Sequence, residues 1–298
     1  MKKALCLLLI FIAFPFFGGM AAEETTVVAS FYPVYILAKN VLNDVEGVNL
    51  TSMTAPSTGC LHDYQLVTGD MRALSQASAL LVNGAGMESF LPDIQAQFPD
   101  LPIVDCSQGV ELICHEAHDH AHEHEHDHGE YNAHIWLNPK NAMRMVENMA
   151  RELSLLLPDA AEKIDQNARD YIARLEEVDR ELTAAIEALP HKDIVTFHEA
   201  FPYFAKAYGL HVAAVIALEP DEPISPKMLA EVIAAVKAAG NPPLFLESQY
   251  ESAALKAVSQ ETGAPVYELD PLVTGDGALT AYEDAMRKNL QVLKEALK

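Results

Sequence analysis

Positive charge is what this chain has least of. Lys and Arg number 20 against 43 Asp and Glu, a formal net charge of −23. Such a chain is repelled by phosphate backbones and anionic lipid, which argues against nucleic acid as a partner and suits a cationic ligand. Long apolar runs are scarce too. The one that stands out follows Lys2 and Lys3, spans residues 4–17 and gives way to small residues up to Ala22. It is shorter than the roughly 20 residues a spanning helix needs. A charged start, an apolar centre and a small-residue end read as a secretory signal peptide over residues 1–22, cleaved near Ala22. Cys6 lies inside the apolar stretch and not at the cleavage point, so a free periplasmic protein is expected over a lipid-anchored one.

Cysteine is sparse. Of four, Cys60, Cys106 and Cys114 would survive processing, and an odd number in an oxidising compartment leaves at least one unpaired. Cys106 with Cys114 is the expected pair, closing a small loop. Cys60–Cys106, Cys60–Cys114 and no bridge at all stay open, as does metal ligation by Cys60. Catalytic motifs are missing as well: there is no GxSxG, HExxH or P-loop, and Asn83-Gly84-Ala85-Gly86 lacks the third glycine of a dinucleotide fingerprint, so it reads as a turn.

What is present is an alternation of β-rich and helical stretches. Strands are expected at 26–30, 49–54, 79–82 and 103–105, with helices at 34–41, 70–78 and 87–98 between them. That order argues for parallel βαβ units. Asn138-Pro139 opens a helix running to about residue 157. A second helix follows over about 160–188, with Ile164, Ala168, Tyr171, Ile172, Leu175, Val178, Leu182 and Ile186 forming one apolar stripe. At 1.5 Å per residue it would be about 40 Å long, which suits a spine joining two lobes. Beyond Pro190 come strands at 193–197, 212–218, 244–247 and 265–269 and helices at 199–208, 226–239 and 252–262, with Gly209, Gly240 and Gly263 placed as C-terminal caps. The expected fold is α/β: two parallel-sheet lobes, residues 23–158 and 190–298, joined by a long rigid helix over 159–189.

In open parallel sheets ligands bind beyond the carboxyl ends of strands. His62, His134, His198 and Asp270 all occupy such places, two from each half. If the lobes face each other, three imidazoles and one carboxylate can meet in the cleft, a donor set suited to tetrahedral zinc. Taken singly, each has a plainer reading: a loop histidine is commonly a satisfied polar residue, and Asp270 before Pro271 can cap a turn. Glu247, at a strand end, is either a cleft residue or the carboxylate that accepts from a ligand histidine. Glu199 reads as an early-turn glutamate favoured by the helix dipole more readily than as a general base. Residues 115–128 form a low-complexity insert holding His115, His118, His120, His122, His124, His126 and His128, seven of the chain's 12 histidines, interleaved with Glu and Asp. Such a tract binds zinc, nickel or copper by composition, and with almost no apolar residues it is expected to be a mobile loop.

Four segments resemble a known family. They are Leu61-His62-Asp63-Tyr64-Gln65 continuing to Asn83-Gly84-Ala85-Gly86-Met87-Glu88; Asn132-Ala133-His134-Ile135-Trp136-Leu137-Asn138-Pro139; Phe197-His198-Glu199-Ala200-Phe201-Pro202-Tyr203-Phe204; and Leu269-Asp270-Pro271-Leu272. In this order they resemble the zinc/manganese solute-binding proteins of bacterial ABC importers, the ZnuA-type zinc proteins in particular. The resemblance implies a metal held between the lobes by His62, His134, His198 and Asp270. It also implies Zn2+ as the transported ion, since the third position is histidine and a His-rich acidic loop precedes the second ligand. The implied partners are an ABC permease and its ATPase in the inner membrane, with a zinc-donating periplasmic metallochaperone as a further one. The protein is expected to act as a monomer and not as an enzyme. No acidic residue immediately precedes His62, which leaves Asp270 as the better fourth ligand. The remaining readings are a manganese- or nickel-importing homologue, a zinc-dependent hydrolase with an open water position, and a buffer in which the His tract is the sole binder.

Overall fold

The computed structural model describes residues 24–55, 58, 60–61, 64–114, 130–216, 224–247 and 252–298. The expected signal peptide, His62 and the His tract lie outside the described residues.

The first lobe is built on strands β1 (Thr25–Ala29), β2 (Val48–Ser52), β3 (Ala79–Val82) and β4 (Ile103–Asp105), joined by helices α1 (Tyr32–Val41), α2 (Thr68–Leu74) and α3 (Leu91–Gln97). The second uses β5 (Asp193–Thr196), β6 (His211–Val215), β7 (Leu244–Glu247) and β8 (Val266–Leu269), with α6 (Pro202–Tyr208), α7 (Pro226–Ala238) and α8 (Ala253–Thr262). Both sheets are parallel and share one plan, β2-β1-β3-β4 and β6-β5-β7-β8. Central strands of such sheets are covered on both faces and read as continuous apolar runs. Ala79-Leu80-Leu81-Val82 is completely buried, as the unbroken apolar sequence demands. Gly209 and Gly263 close α6 and α8 in the left-handed conformation, at φ 65° and 73°, which a Cβ would oppose.

Between the lobes run α4 (Pro139–Leu156) and α5 (Ala161–Glu187). Asn138 caps α4 by accepting from the Lys140 N–H at 3.0 Å, with Pro139 in the first turn. The expected stripe of α5 is buried at Ile164, Ala168, Tyr171, Leu175, Val178, Leu182 and Ile186, while Ile172 sits at its margin. That stripe rests on α4 and on a last helix, α9 (Ala281–Ala296), which the sequence reading above does not contain. Arg287 of α9 also grips Glu181 of α5 bidentately at 2.9 and 3.0 Å. Half-exposed pairs of this kind contribute little, so apolar packing holds the bundle.

One continuous core runs from β1 and α1 through α4, α5, α6 and α9, whereas β5–β8 share a much smaller core of Val195, Phe197, Ile216, Val236, Leu244, Leu255, Val258 and Ala264. The chain beyond β8 turns back to the first lobe. Lys39 Nζ donates to Gly277 O at 2.6 Å, Asn40 Nδ2 to Leu279 O at 3.0 Å, and Tyr282 OH to Trp136 O at 2.7 Å. The last segment therefore straps the second lobe to the first.

Three expectations need correction. No disulfide joins Cys106 to Cys114 as expected: Cys106 is buried just after β4 and Cys114 is exposed. The helix placed at 87–98 begins only at Leu91, because Pro92 enters its first turn and Glu88 is turned inward. Likewise α6 begins at Pro202, which puts Glu199 in the preceding turn and away from a helix dipole.

Because α5 is the shared wall, Leu175→Ala should cost about 2–5 kcal/mol. Exposed Glu176→Ala should stay within about 0.5 kcal/mol. Urea unfolding of both variants checks this.

Candidate metal centre

Each lobe delivers one buried histidine to the cleft. His134 comes from the segment leading into α4, and His198 comes two residues after β5. They are 2% and 1% exposed. Their rings meet edge to face with centroids 4.8 Å apart, and Trp136 lies 5.2 Å from His134. In both lobes the central strands β1 and β5 have their sequential neighbour on one side and a later strand on the other. This is the switch point where such sheets place ligands.

Both imidazoles are oriented from behind. His198 Nδ1 lies 2.9 Å from Glu247 Oε1, at the end of neighbouring β7. A carboxylate can only accept, so Nδ1 carries the proton and Nε2 keeps its lone pair. His134 is fixed by Asn132, whose Oδ1 accepts the His134 backbone N–H at 3.0 Å and faces Nδ1 at 3.2 Å. The amide cannot turn over, because Asn132 Nδ2 donates to Glu199 O at 2.7 Å. Nδ1 of His134 is therefore the donor, and its Nε2 lone pair meets Cys60 Sγ at 3.5 Å. The Asn132–Glu199 bond also crosses from one lobe to the other. Tyr203 of α6 reinforces it, donating to Asn132 O at 2.8 Å and accepting from the Ile113 N–H at 3.0 Å.

Behind His134 lies a second anchor. Glu88 is buried and accepts from Ser30 Oγ at 2.7 Å, Asn83 N at 2.7 Å and Gly84 N at 3.1 Å. Asn83 Nδ2 then donates to Ala133 O at 2.9 Å, beside His134. Gly84 has φ 78°, and a Cβ there would sit 2.0 Å from Asp105 Oδ1, so glycine alone fits this turn.

Asp270 follows β8 and is half-buried. Its Oδ1 accepts from Leu272 N at 2.8 Å, so the turn-capping reading holds. Leu272 has φ 59°, uncommon for a branched side chain. The turn is over-determined by its neighbours. Trp136 Nε1 donates to Pro271 O at 2.8 Å, and Asn289 of α9 brackets Asp270, accepting its N–H at 2.8 Å and donating to its carbonyl at 2.7 Å. Of the expected ligands the structure thus brings His134 and His198 together. Among the described residues no three His, Cys, Asp or Glu side chains gather closely enough to enclose an ion, so Asp270 is not grouped with that pair. The residues the sequence reading did not find are Asn132, Asn289 and Glu88. Glu247 was found, and its reading as the acceptor behind a ligand histidine is the one the structure supports.

Comparison with known proteins fits this picture. The family of zinc-uptake complex component A, periplasmic, matches residues 27–296. The zinc-binding protein AdcA of Streptococcus pyogenes serotype M3 is 30% identical over 92% of this chain, though the chain spans only 56% of that relative's length. The high-affinity zinc uptake system protein ZnuA of Bacillus subtilis is 30% identical, with 92% of this chain and 88% of that protein covered. A crystal structure of ZnuA superposes with a TM-score of 0.79 at 26% identity, covering 93% of this chain and all of that one, and a mutant of the laminin-binding adhesin of Streptococcus agalactiae superposes with a TM-score of 0.80 at 26% identity, covering 92% and all of that chain. Two parallel α/β lobes joined through long helices are the fold that this chain shares with these metal-binding neighbours. The chain belongs to the ZnuA family.

Two predictions come from the groups that set the geometry. Asn289→Ala leaves the Asp270 N–H and carbonyl without their partner, at about 1–3 kcal/mol for each buried group, readable as a lowered urea midpoint. Burial pushes the Glu88 carboxyl up to about 7, partly offset by its hydrogen bonds from Ser30, Asn83 and Gly84. The folded state therefore holds this proton more tightly than the unfolded chain does. Its contribution to stability is complete below about pH 4.5 and is lost as pH rises through about 7. Glu88→Gln should flatten that part of the pH–stability curve, measured by urea unfolding between pH 4 and 8.

Proposed function

We propose that this protein captures Zn(II) outside the cytoplasm and delivers it to an ABC permease driven by its ATPase. The observation that carries the reading is the buried pair His134 and His198, one from each lobe, each with Nδ1 engaged from behind and Nε2 turned to the cleft. Neutral imidazoles held this way are preorganised zinc ligands. His62 and Asp270 complete the set in this proposal. His62 follows β2 in sequence as His198 follows β5, and Asp270 follows β8 directly, its Oδ1 engaged by the Leu272 N–H. One carboxylate offsets part of the dication's charge. The zinc-binding and zinc-uptake names of the relatives above agree with the reading.

The ordering groups divide the work. Glu247 holds the His198 ring and strengthens its Nε2 as a donor. Asn132 does the same for His134 and ties it to the opposite lobe through Glu199 O. The shared wall of α5 and the strap of α9 resist wide hinge opening, so loading shifts loops at the strand ends more than whole lobes. The permease then distinguishes the loaded from the empty loop arrangement. Residues 1–22 serve for export into the periplasm and are removed there, the protein acts as a monomer, and the tract from His115 to His128 gathers zinc near the site without forming it.

Calorimetry with zinc on a chain lacking residues 115–128 tests the division between site and tract. One tight site is expected, abolished or greatly weakened by His198→Ala. No tight site in the parent deletion would shift binding to the tract and overturn the proposal. Glu247→Ala should weaken the site about 10–100-fold, the usual effect of losing a ligand's hydrogen-bond partner.

A further inference from the structure

We infer that Cys60 supplies a sulfur ligand to the captured ion, so that the site is mixed imidazole and thiolate. The inference rests on the zinc reading of His134 and His198 and names a donor that the four expected ligands do not include.

Cys60 Sγ stands 3.5 Å from His134 Nε2. That nitrogen is the metal-facing one, since Nδ1 is turned to Asn132 Oδ1. In tetrahedral zinc, with Zn–N of about 2.0–2.1 Å and Zn–S of about 2.3 Å, neighbouring nitrogen and sulfur donors lie about 3.6 Å apart. The thiol and the imidazole are therefore already at the separation of two ligands on one ion. Cys60 is half-buried and is anchored by the next residue, Leu61, which is fully enclosed in the core of the first lobe. His198 packs edge to face against the same His134 ring, with centroids 4.8 Å apart. The donors are arranged as two neighbouring pairs sharing His134, and an ion entering beside its Nε2 draws in Cys60 and His198. On ligation the sulfur–metal bond forms and the thiol proton passes to solvent.

The chemical consequence is selectivity. Thiolate is a soft donor that favours zinc and cadmium, while manganese prefers oxygen ligands and stands at the weak end of the divalent series. Cys60 would discriminate against manganese from inside the site, independently of the choice of histidine at position 198.

Cobalt(II) is the probe. The full chain, reduced and given less than one equivalent of Co(II), should show tetrahedral d–d bands together with a thiolate-to-cobalt charge-transfer band in the near ultraviolet. The charge-transfer band should vanish in Cys60→Ser and persist in Cys114→Ser, the control for the exposed thiol beside the His tract. In Cys60→Ser, zinc affinity should fall by roughly tenfold or more while manganese affinity changes by no more than about threefold. Far-ultraviolet dichroism and urea unfolding establish that this variant is folded. Tetrahedral d–d bands without a charge-transfer band in the parent chain, or a band that survives in Cys60→Ser, overturn the sulfur ligand and leave the histidine site standing. Absence of tetrahedral cobalt altogether, with no effect of His198→Ala, brings down the zinc reading on which the inference rests.

Discussion

Everything at the cleft depends on how two buried imidazoles, one from each lobe, are oriented by what their Nδ1 atoms touch. An imidazole ring has two nitrogens, and the one that faces a ligand is decided by what the other one touches. Here Glu247 decides for His198 and Asn132 decides for His134. Both choices are locked by further contacts, since Asn132 is pinned to Glu199 O across the cleft and Glu247 sits on a central strand of the second sheet. The result is a pair of rings held edge to face, 4.8 Å apart, each oriented by its own partner. Without those partners the same two histidines would be polar groups buried at a cost of several kcal/mol.

The scaffold explains why this arrangement can be rigid although it spans two lobes. The first sheet, the long helix α5 and the final helix α9 share one core, and the second sheet has a smaller core of its own. The chain after β8 belongs by contact to both sides: Asn289 brackets Asp270 at the end of β8, Pro271 O accepts from Trp136, and Tyr282 returns a hydrogen bond to Trp136 O. Trp136 is two residues from His134, and their rings lie 5.2 Å apart, so the strap and His134 lean on the same side chain. The Asp270 turn, strained at Leu272, persists because Asn289 and Trp136 hold it from two directions.

Much of this was legible in the sequence, and what was not has identifiable causes. The strand-helix alternation and the α5 stripe follow from periodicity alone, and every expected β-strand is present within one or two residues, except that the one expected at 212–218 ends at Val215. Position at a strand's carboxyl end singled out His198 and Glu247, and position just before the Asn138-Pro139 helix singled out His134. Helix α9 was hidden because its buried face reads Tyr282, Met286, Asn289, Leu293: a polar residue interrupts the apolar spacing, and that residue is the one bracketing Asp270. Glu199 was misplaced because helix propensity extends backward over it, whereas Pro202 fixes where the helix can begin. Sequence spacing made Cys106 and Cys114 look like a pair, but one faces the core and the other the surface. Asn132 could have been suspected from its position two residues before a histidine, where a short amide reaches back to the backbone.

The central claim is that one ion sits between His134 of the first lobe and His198 of the second. Anomalous diffraction at the zinc absorption edge, on crystals of the chain loaded with one equivalent of zinc, tests it most directly. A single dominant peak within bonding distance of both Nε2 atoms, about 2.0–2.1 Å from each, is the predicted result. A peak bound to only one of them, or lying elsewhere on the chain with the two rings left as they are, would contradict it.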